Sequence, residues 1–322
     1  MARAFAQPGP TFPVSHVGMA VAFLLLLFAF PWLVHMHPYA LHLAILSCLY
    51  VILSLGWNIL GGLAGQLSFG HSAFFGLGAY TTAFLWLRGI HPYATMPLAG
   101  AIATLYSFLV GVPCLRLRGP FFAIATIGIG EATRVFMNNL ELTGGSSGLV
   151  LPTPEAYSKL PYYYLTLFWM VLAIASVYLI LRSPFGMGLF AIREDLDAAE
   201  ALGVNAVRYQ TYAFMLSAFF IGIGGSLFAQ YMFFIVPEKV FGFDLSVSMV
   251  LMPIIGGLAT FWGPILGALV FLLLQEYVLA SFPNLHLGIY GSLLILIILF
   301  EPGGVVALLR RLVRLRRHHG LA

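Results

Sequence analysis

The chain has 322 residues, of which 61% are hydrophobic and 8% charged. That balance argues against a soluble core and points to a protein whose solvent is mostly lipid. The formal charge of +4 belongs to the end of the chain, since Arg310, Arg311, Arg314, Arg316 and Arg317 supply +5 and leave −1 for the rest, which argues against nucleic acid as a partner.

From the N-terminus, Met1 to Pro13 lacks a dense basic region, and the apolar run from Val17 to His35 is not followed by a small-residue cleavage site. It reads as a retained first span rather than a removed signal peptide. A helix needs roughly 20 apolar residues to cross the hydrocarbon, and cutting the chain at its polar and Gly/Pro interruptions gives about ten spans. They run over 17–36, 40–61, 68–87, 94–113, 119–139, 162–182, 209–233, 244–261, 263–281 and 284–300. Cys48 and Cys114 lie in or beside apolar stretches, show no metal-ligand spacing, and read as structural.

Lys and Arg in short loops set orientation. Arg116 with Arg118, then Arg182, Arg193 and Arg208, then the five tail arginines form three clusters, each expected to be cytoplasmic. Two spans separate the first pair of clusters and four the second, so the parity is consistent, and carrying it backwards places both termini in the cytoplasm.

In the second and third spans, Gly61, Gly62, Gly65, Gly70, Gly76 and Gly78 surround Gln66, Ser68, His71 and Ser72. Such a segment permits unwound backbone and close helix approach, and its polar groups are candidates for lining a pathway; plain packing is the competing reading. His71 has no second ligand at helical spacing, so no metal is expected. Gly-Gly-Leu-Ala occurs at Gly61 and again at Gly256. An internal duplication is one reading, but a four-residue match in a chain with 34 glycines is more simply chance.

In the fifth span Glu131 and Arg134 stand three apart, on one helix face, where they can pair. They read either as a lining group near the external mouth or as a structural ion pair. The loop that follows, with Thr143, Gly144, Gly145 and Ser146, offers amides and hydroxyls to an external partner, or is simply a turn.

The strongest polar interruption comes next, at Arg193, Glu194, Asp195, Asp197, Ala198, Ala199, Glu200 and Gly203, where five charges fall within eight positions. Asp195 can cap a short helix over Leu196–Leu202, and Gly203 suits the left-handed position that ends it. A piece about 12 Å long cannot span, so it should lie along the membrane surface with Leu196, Ala199 and Leu202 or Gly203 near one face. Docking of another protein and an ordinary interfacial loop are both open from these residues alone. The seventh span then carries Ala218, Gly222 and Ser226 at intervals of four, a stripe for close helix packing. Glu276 stands well inside the ninth span with no local positive partner. It could face a second subunit, accept a hydrogen bond while protonated, or line a wet cavity.

Asp197-Ala198-Ala199 with Gly203 resembles the Glu-Ala-Ala-x-x-x-Gly loop of ABC-importer permeases, with Asp in place of Glu. The wider context is more specific. Gly65-Gln66-Leu67-Ser68-Phe69-Gly70-His71, Gly76-Leu77-Gly78-Ala79-Tyr80, Leu117-Arg118-Gly119, Gly130-Glu131-Ala132-Thr133-Arg134, Thr143-Gly144-Gly145, Ala191-Ile192-Arg193-Glu194-Asp195 and Gly256-Gly257-Leu258-Ala259 are similar, in this order, to LivM-type permeases of branched-chain amino acid importers. The resemblance covers roughly residues 40–305. It implies a permease subunit pairing with a LivH-type permease, two ATP-hydrolysing subunits and an extracytoplasmic amino-acid-binding protein, with the short surface helix as the coupling element. The family's distal Ile-x-Leu-Pro is not evident after Gly203.

The expectation is therefore an all-α integral membrane protein, a polytopic bundle of about ten transmembrane helices with a short cytoplasmic coupling helix. It forms one permease domain over 1–322, with a cytoplasmic segment at 1–16, a coupling loop at 183–208 and a basic tail at 302–322. The only lysines, Lys159 and Lys239, do not complete a P-loop, so ATP and Mg are expected on partners and no enzyme activity or cofactor in this chain. The expected cargo is a branched-chain or similar apolar amino acid crossing the bacterial inner membrane. An ABC permease for urea, short amides or another amino acid is the nearest alternative, and a self-sufficient secondary transporter a more distant one.

Overall fold

The structure, a computed structural model, describes residues 14–153, 157–277, 285–300, 303–309 and 311. The expected N-terminal segment lies outside these residues up to position 13, as do most of the basic tail and the stretch 278–284 between the last two expected spans.

The elements in chain order are α1 (Val14–Leu33), α2 (Pro38–Asn58) continuing into a π-helical turn (Ile59–Leu63), α3 (His71–Leu87), α4 (Pro92–Cys114), α5 (Pro120–Asn139), β1 (Leu149–Val150), α6 (Leu160–Arg182), α7 (Pro184–Glu194), α8 (Leu196–Ala201), α9 (Ala206–Met232), β2 (Phe234–Ile235), α10 (Pro237–Val240), α11 (Phe243–Gly256), α12 (Gly263–Tyr277) and α13 (His286–Phe300). Proline opens α2, α4, α5, α6, α7 and α10 within the first two positions, where its missing N–H has no helical acceptor to lose.

Six helical stretches among the described residues are long and apolar enough to cross a membrane: Pro38–Leu63, Pro92–Cys114, Pro120–Asn139, Leu160–Arg182, Ala206–Met232 and Pro237–Gly256. This is an all-helical membrane protein. The third expected span begins at His71 rather than 68, because residues 64–70 are unwound, and the eighth ends at Gly256 rather than 261.

The core is built around α9. Ala218 and Gly222 are buried; an added Cβ at Gly222 would stand 2.6 Å from Ala103 Cβ of α4 and 3.0 Å from Ala99 O. Gly225 lies so close to Phe75 of α3 that a Cβ would fall 1.9 Å from its carbonyl oxygen. The stripe read from the sequence is therefore a packing seam that lets three backbones converge. Ser226 completes it by hydrogen-bonding Thr82.

Contacts between distant segments sort the helix ends into two groups. At one end Arg118, after α4, meets Asp197 of α8, and Asn58 meets the Gly257–Trp262 segment between α11 and α12. At the other, β1 pairs antiparallel with β2, Lys159 donates to Pro38 O, and Gln230 donates to Pro92 O. The Arg116–Arg118 cluster thus shares an end of the bundle with the segment that carries Arg193, as the parity of those two clusters predicts; the tail cluster lies almost wholly outside the described residues.

Candidate functional site

The region expected as a loop at 183–208 is two helices joined by a kink, with three side-chain caps in succession. Ser183 Oγ accepts from Gly186 N at 3.2 Å and starts α7. Asp195, in extended conformation, accepts from Ala198 N at 3.0 Å and starts α8. Asn205 Oδ1 accepts from Arg208 N at 3.0 Å and starts α9. Gly203 takes φ +90 and closes α8, while Val204 N donates to Ala199 O at 3.0 Å. Each residue here is the type its backbone position favours.

α8 ends one residue earlier than expected. Leu196 and Ala199 turn inward onto Ile192, Ala206 and Tyr209. Of the two alternatives for the third position on that face, Leu202 and Gly203, both are exposed, Leu202 at 86%, because six positions on from Leu196 the helix has turned its side chain about 120° away. Arg193, Glu194, Asp195, Asp197, Ala198, Glu200 and Gly203 are all exposed. A rigid, capped platform thus presents four carboxylates, an arginine and one leucine outward, with a shallow groove beside it lined by Glu200, Val204, Val207 and Arg208.

Two contacts tie the platform to the bundle. Arg118 Nη1 donates to Asp197 Oδ1 at 3.0 Å; both side chains are well exposed, so the pair contributes little stability and matters for placement. The stem of Arg193 lies over Gly65, whose added Cβ would stand 3.0 Å from Arg193 Cγ. Gly65 has φ +72, so glycine is needed there for conformation as well as space.

Behind Gly65 lies the segment expected to line a pathway, and the structure places it inside this chain's bundle. Ser68 and His71 are fully buried, Ser72 and Gln66 nearly so. His71 Nε2 is 2.8 Å from Ser217 Oγ, and its ring packs against Trp57, Phe74 and Phe214. Trp57 Nε1 donates to Ser68 O at 2.8 Å and Ser246 Oγ accepts from Ser72 N at 2.9 Å. The unwound backbone is satisfied internally, as a membrane interior requires. Among the described residues no cluster of three or more His, Cys, Asp or Glu could hold a metal.

The two Gly-Gly-Leu-Ala segments meet. Asn58 Oδ1 accepts from Ala259 N at 3.1 Å, and a Cβ on Gly62 would fall 1.9 Å from that same oxygen. Asn58 is fully buried and joins two unwound turns at the end of the bundle that carries α8. Nothing in the sequence singles it out: one asparagine at the end of an apolar helix has no visible partner 201 positions away.

On α5, Arg134 Nε donates to Glu131 Oε2 at 2.9 Å, so the expected pair forms. Its direction is outward: the side chains of Arg134 and Glu131 are 27% and 52% exposed. The opposite face of α5 carries Thr126, whose hydroxyl accepts from Phe69 N at 3.1 Å. The two groups of expected lining residues are thus separated by the thickness of one helix. In the loop after α5, Thr143 is buried and donates to Met137 O and Leu140 O, so it holds the turn, while Ser146 is exposed. Glu276 lies in the last described turn of α12, the rest of its expected span falling outside the described residues, and accepts a hydrogen bond from Tyr39 at 2.8 Å.

The family model described as branched-chain amino acid transport system / permease component matches residues 39–298. The high-affinity branched-chain amino acid transport system permease protein LivM of Escherichia coli K12 is 32% identical, over 92% of this chain and 76% of the relative. LivH of the same organism is 25% identical over 81% of this chain and 92% of its own length. A probable LivM of Methanocaldococcus jannaschii is 27% identical over 65% of this chain and 67% of its own. No solved structure matches.

Proposed function

The chain belongs to the family of branched-chain amino acid transport permease components, and from that premise we propose that it is the membrane-spanning subunit of an ATP-driven importer of branched-chain or similar apolar amino acids. The capped platform of α8 carries this reading: it holds exposed carboxylates and Leu202 on a rigid element continuous with α9. A motor subunit needs such a grip, because force applied to a flexible loop would be lost before it reached the spans.

The arrangement includes a LivH-type permease beside this chain, two ATPase subunits of which one seats α8, and an extracytoplasmic binding protein at the loop bearing Thr143, Gly144, Gly145 and Ser146. ATP and Mg reside on the ATPase subunits, and this chain takes part in no bond-breaking step. The helices α1, α3, α12 and α13 cross together with the six stretches named above and bring the spans to ten, in one permease domain of the inner membrane with both termini and α8 in the cytoplasm. Asp195 and Asp197, with Arg193, Glu194, Ala198, Ala199, Glu200 and Gly203, form or support the ATPase contact.

Reconstitution with the neighbouring subunits tests the reading. Uptake of leucine, isoleucine or valine should require ATP inside the vesicle, the ATPase and the binding protein. Uptake by this chain alone down a proton gradient, or uptake of urea and short amides in preference to apolar amino acids, would overturn it.

A further inference from the structure

We infer that the outward face of α5 meets the second permease across water, and that Glu131 and Arg134 form part of the pathway wall from this chain's side; this rests on the importer reading above. α5 is 20 residues long, about 30 Å, which matches the hydrocarbon thickness, and Glu131 stands about 16 Å along it, close to mid-depth. Only 28% of its most apolar window is buried within this chain, the smallest share among the six long spans. Phe121, Ile124, Gly128, Glu131 and Val135 recur on its exposed face, and an added Cβ at Gly128 would meet nothing within 4 Å.

A lipid-facing surface in this protein looks different. Exposed positions in the body of α4 include Leu98, Ile102, Leu105, Phe108 and Leu109, and those of α6 include Phe168, Leu172, Ala175 and Leu179. None of these is charged, and Ser176 beside them returns its hydroxyl to Leu172 O at 2.8 Å, as hydrocarbon demands. A carboxylate half exposed at mid-depth does not belong in that solvent even when paired, and ionisable groups in spans face protein or a water-filled cavity. Within this chain Glu131 faces away from the bundle, so the cavity must be completed by another chain.

The occupant follows from relatedness. LivH is similar to this chain over most of both lengths, so the two permeases share a fold, and related subunits pair about a pseudo-twofold axis that sets equivalent faces opposite each other. The pairing of Glu131 with Arg134 leaves this wall formally neutral, which suits passage of a zwitterion: it can exchange with both charges, whereas a single ion would be held by one.

The test uses the complete transporter in proteoliposomes, with Cys48→Ala and Cys114→Ala as background and one of Gly128→Cys, Ala132→Cys or, as lipid-facing control, Leu172→Cys. The first two should react with a membrane-impermeant methanethiosulfonate at least tenfold faster than the control, and should be bridged to cysteines on the equivalent helix of the second permease by a bifunctional methanethiosulfonate that spans the water between them. Reaction only with a membrane-soluble maleimide, at the control's rate, would overturn the assignment, and so would unchanged labelling after omission of the second permease. In either case ATP-dependent uptake by the unmodified transporter would leave the importer reading standing.

Discussion

Arg118 and Asp197, 79 positions apart in sequence, meet at 3.0 Å and fasten the turn between α4 and α5 to the platform of α8. Because both are well exposed, Arg118→Ala should reduce ATP-dependent uptake by no more than about threefold, within the range of a surface ion pair. Asp197→Lys should lower uptake and ATPase copurification at least about tenfold, an interface loss of about 1.4 kcal/mol, while membrane insertion persists. The exchange Arg118→Asp with Asp197→Arg restores the internal pair but should not restore uptake. Full recovery in the exchanged protein would place the role of Asp197 inside this chain.

Leu202 is the most exposed large apolar side chain of the platform, and none of the described residues covers it. Leu202→Asp should weaken ATPase association without lowering the thermal midpoint of the isolated chain, since substitutions on an open surface usually change stability by less than about 0.5 kcal/mol. Gly203→Val acts differently: at φ +90 a β-branched residue costs about 1–3 kcal/mol locally and unseats Leu202 as well, so uptake should be lost. Pull-down of the ATPase with each variant measures both effects, and equal binding by Leu202→Asp would count against the contact.

The convergence of α3, α4 and α9 predicts a steep size dependence. Gly225→Leu cannot be placed with Phe75 O 1.9 Å from its Cβ, so folded monodisperse protein should be lost on size-exclusion chromatography. Ser226→Ala removes the hydrogen bond to Thr82 and the one its hydroxyl accepts from Gln230 Nε2 at 3.3 Å, and should cost about 1–3 kcal/mol, seen as a fall in thermal midpoint well short of unfolding.

Asn58 and Ala259 predict changes of opposite sign. Asn58→Leu leaves the Ala259 N–H without its acceptor and should destabilise by about 1–3 kcal/mol. Ala259 holds φ +56, a conformation glycine adopts freely, so Ala259→Gly should leave stability unchanged or raise it by about 0.5 kcal/mol. Thermal unfolding in detergent reads both, and a large loss in Ala259→Gly would show that the methyl group packs more tightly than its conformation costs.

What the sequence made legible follows the reach of its signals. The caps Asp195 and Gly203, the Glu131–Arg134 pair and the Ala218–Gly222–Ser226 seam are local patterns, and each was readable within a few residues. The side chains meeting at Asn58–Ala259, Arg118–Asp197 and Arg193–Gly65 were not, because they depend on which helix ends the fold brings together. The Gly-rich run at 61–78 was legible as unwound and closely packed; that its Ser68, His71 and Ser72 turn into the bundle, while Glu131 turns out of it, required the packing of α5. The outward direction of Leu202 was legible from spacing alone, since six positions at about 100° each set it some 120° round the helix from Leu196.

α9 runs 27 residues, about 40 Å, from Asn205 beside the platform to Phe233, whose left-handed backbone turns the chain into β2 and whose carbonyl accepts from Leu151 N at 2.7 Å. One rod is therefore held at its foot by the capped platform and at its head by a clip to the loop after α5. Neither extremity of such a lever can shift alone, so on the importer reading whatever settles at its head is felt at its foot.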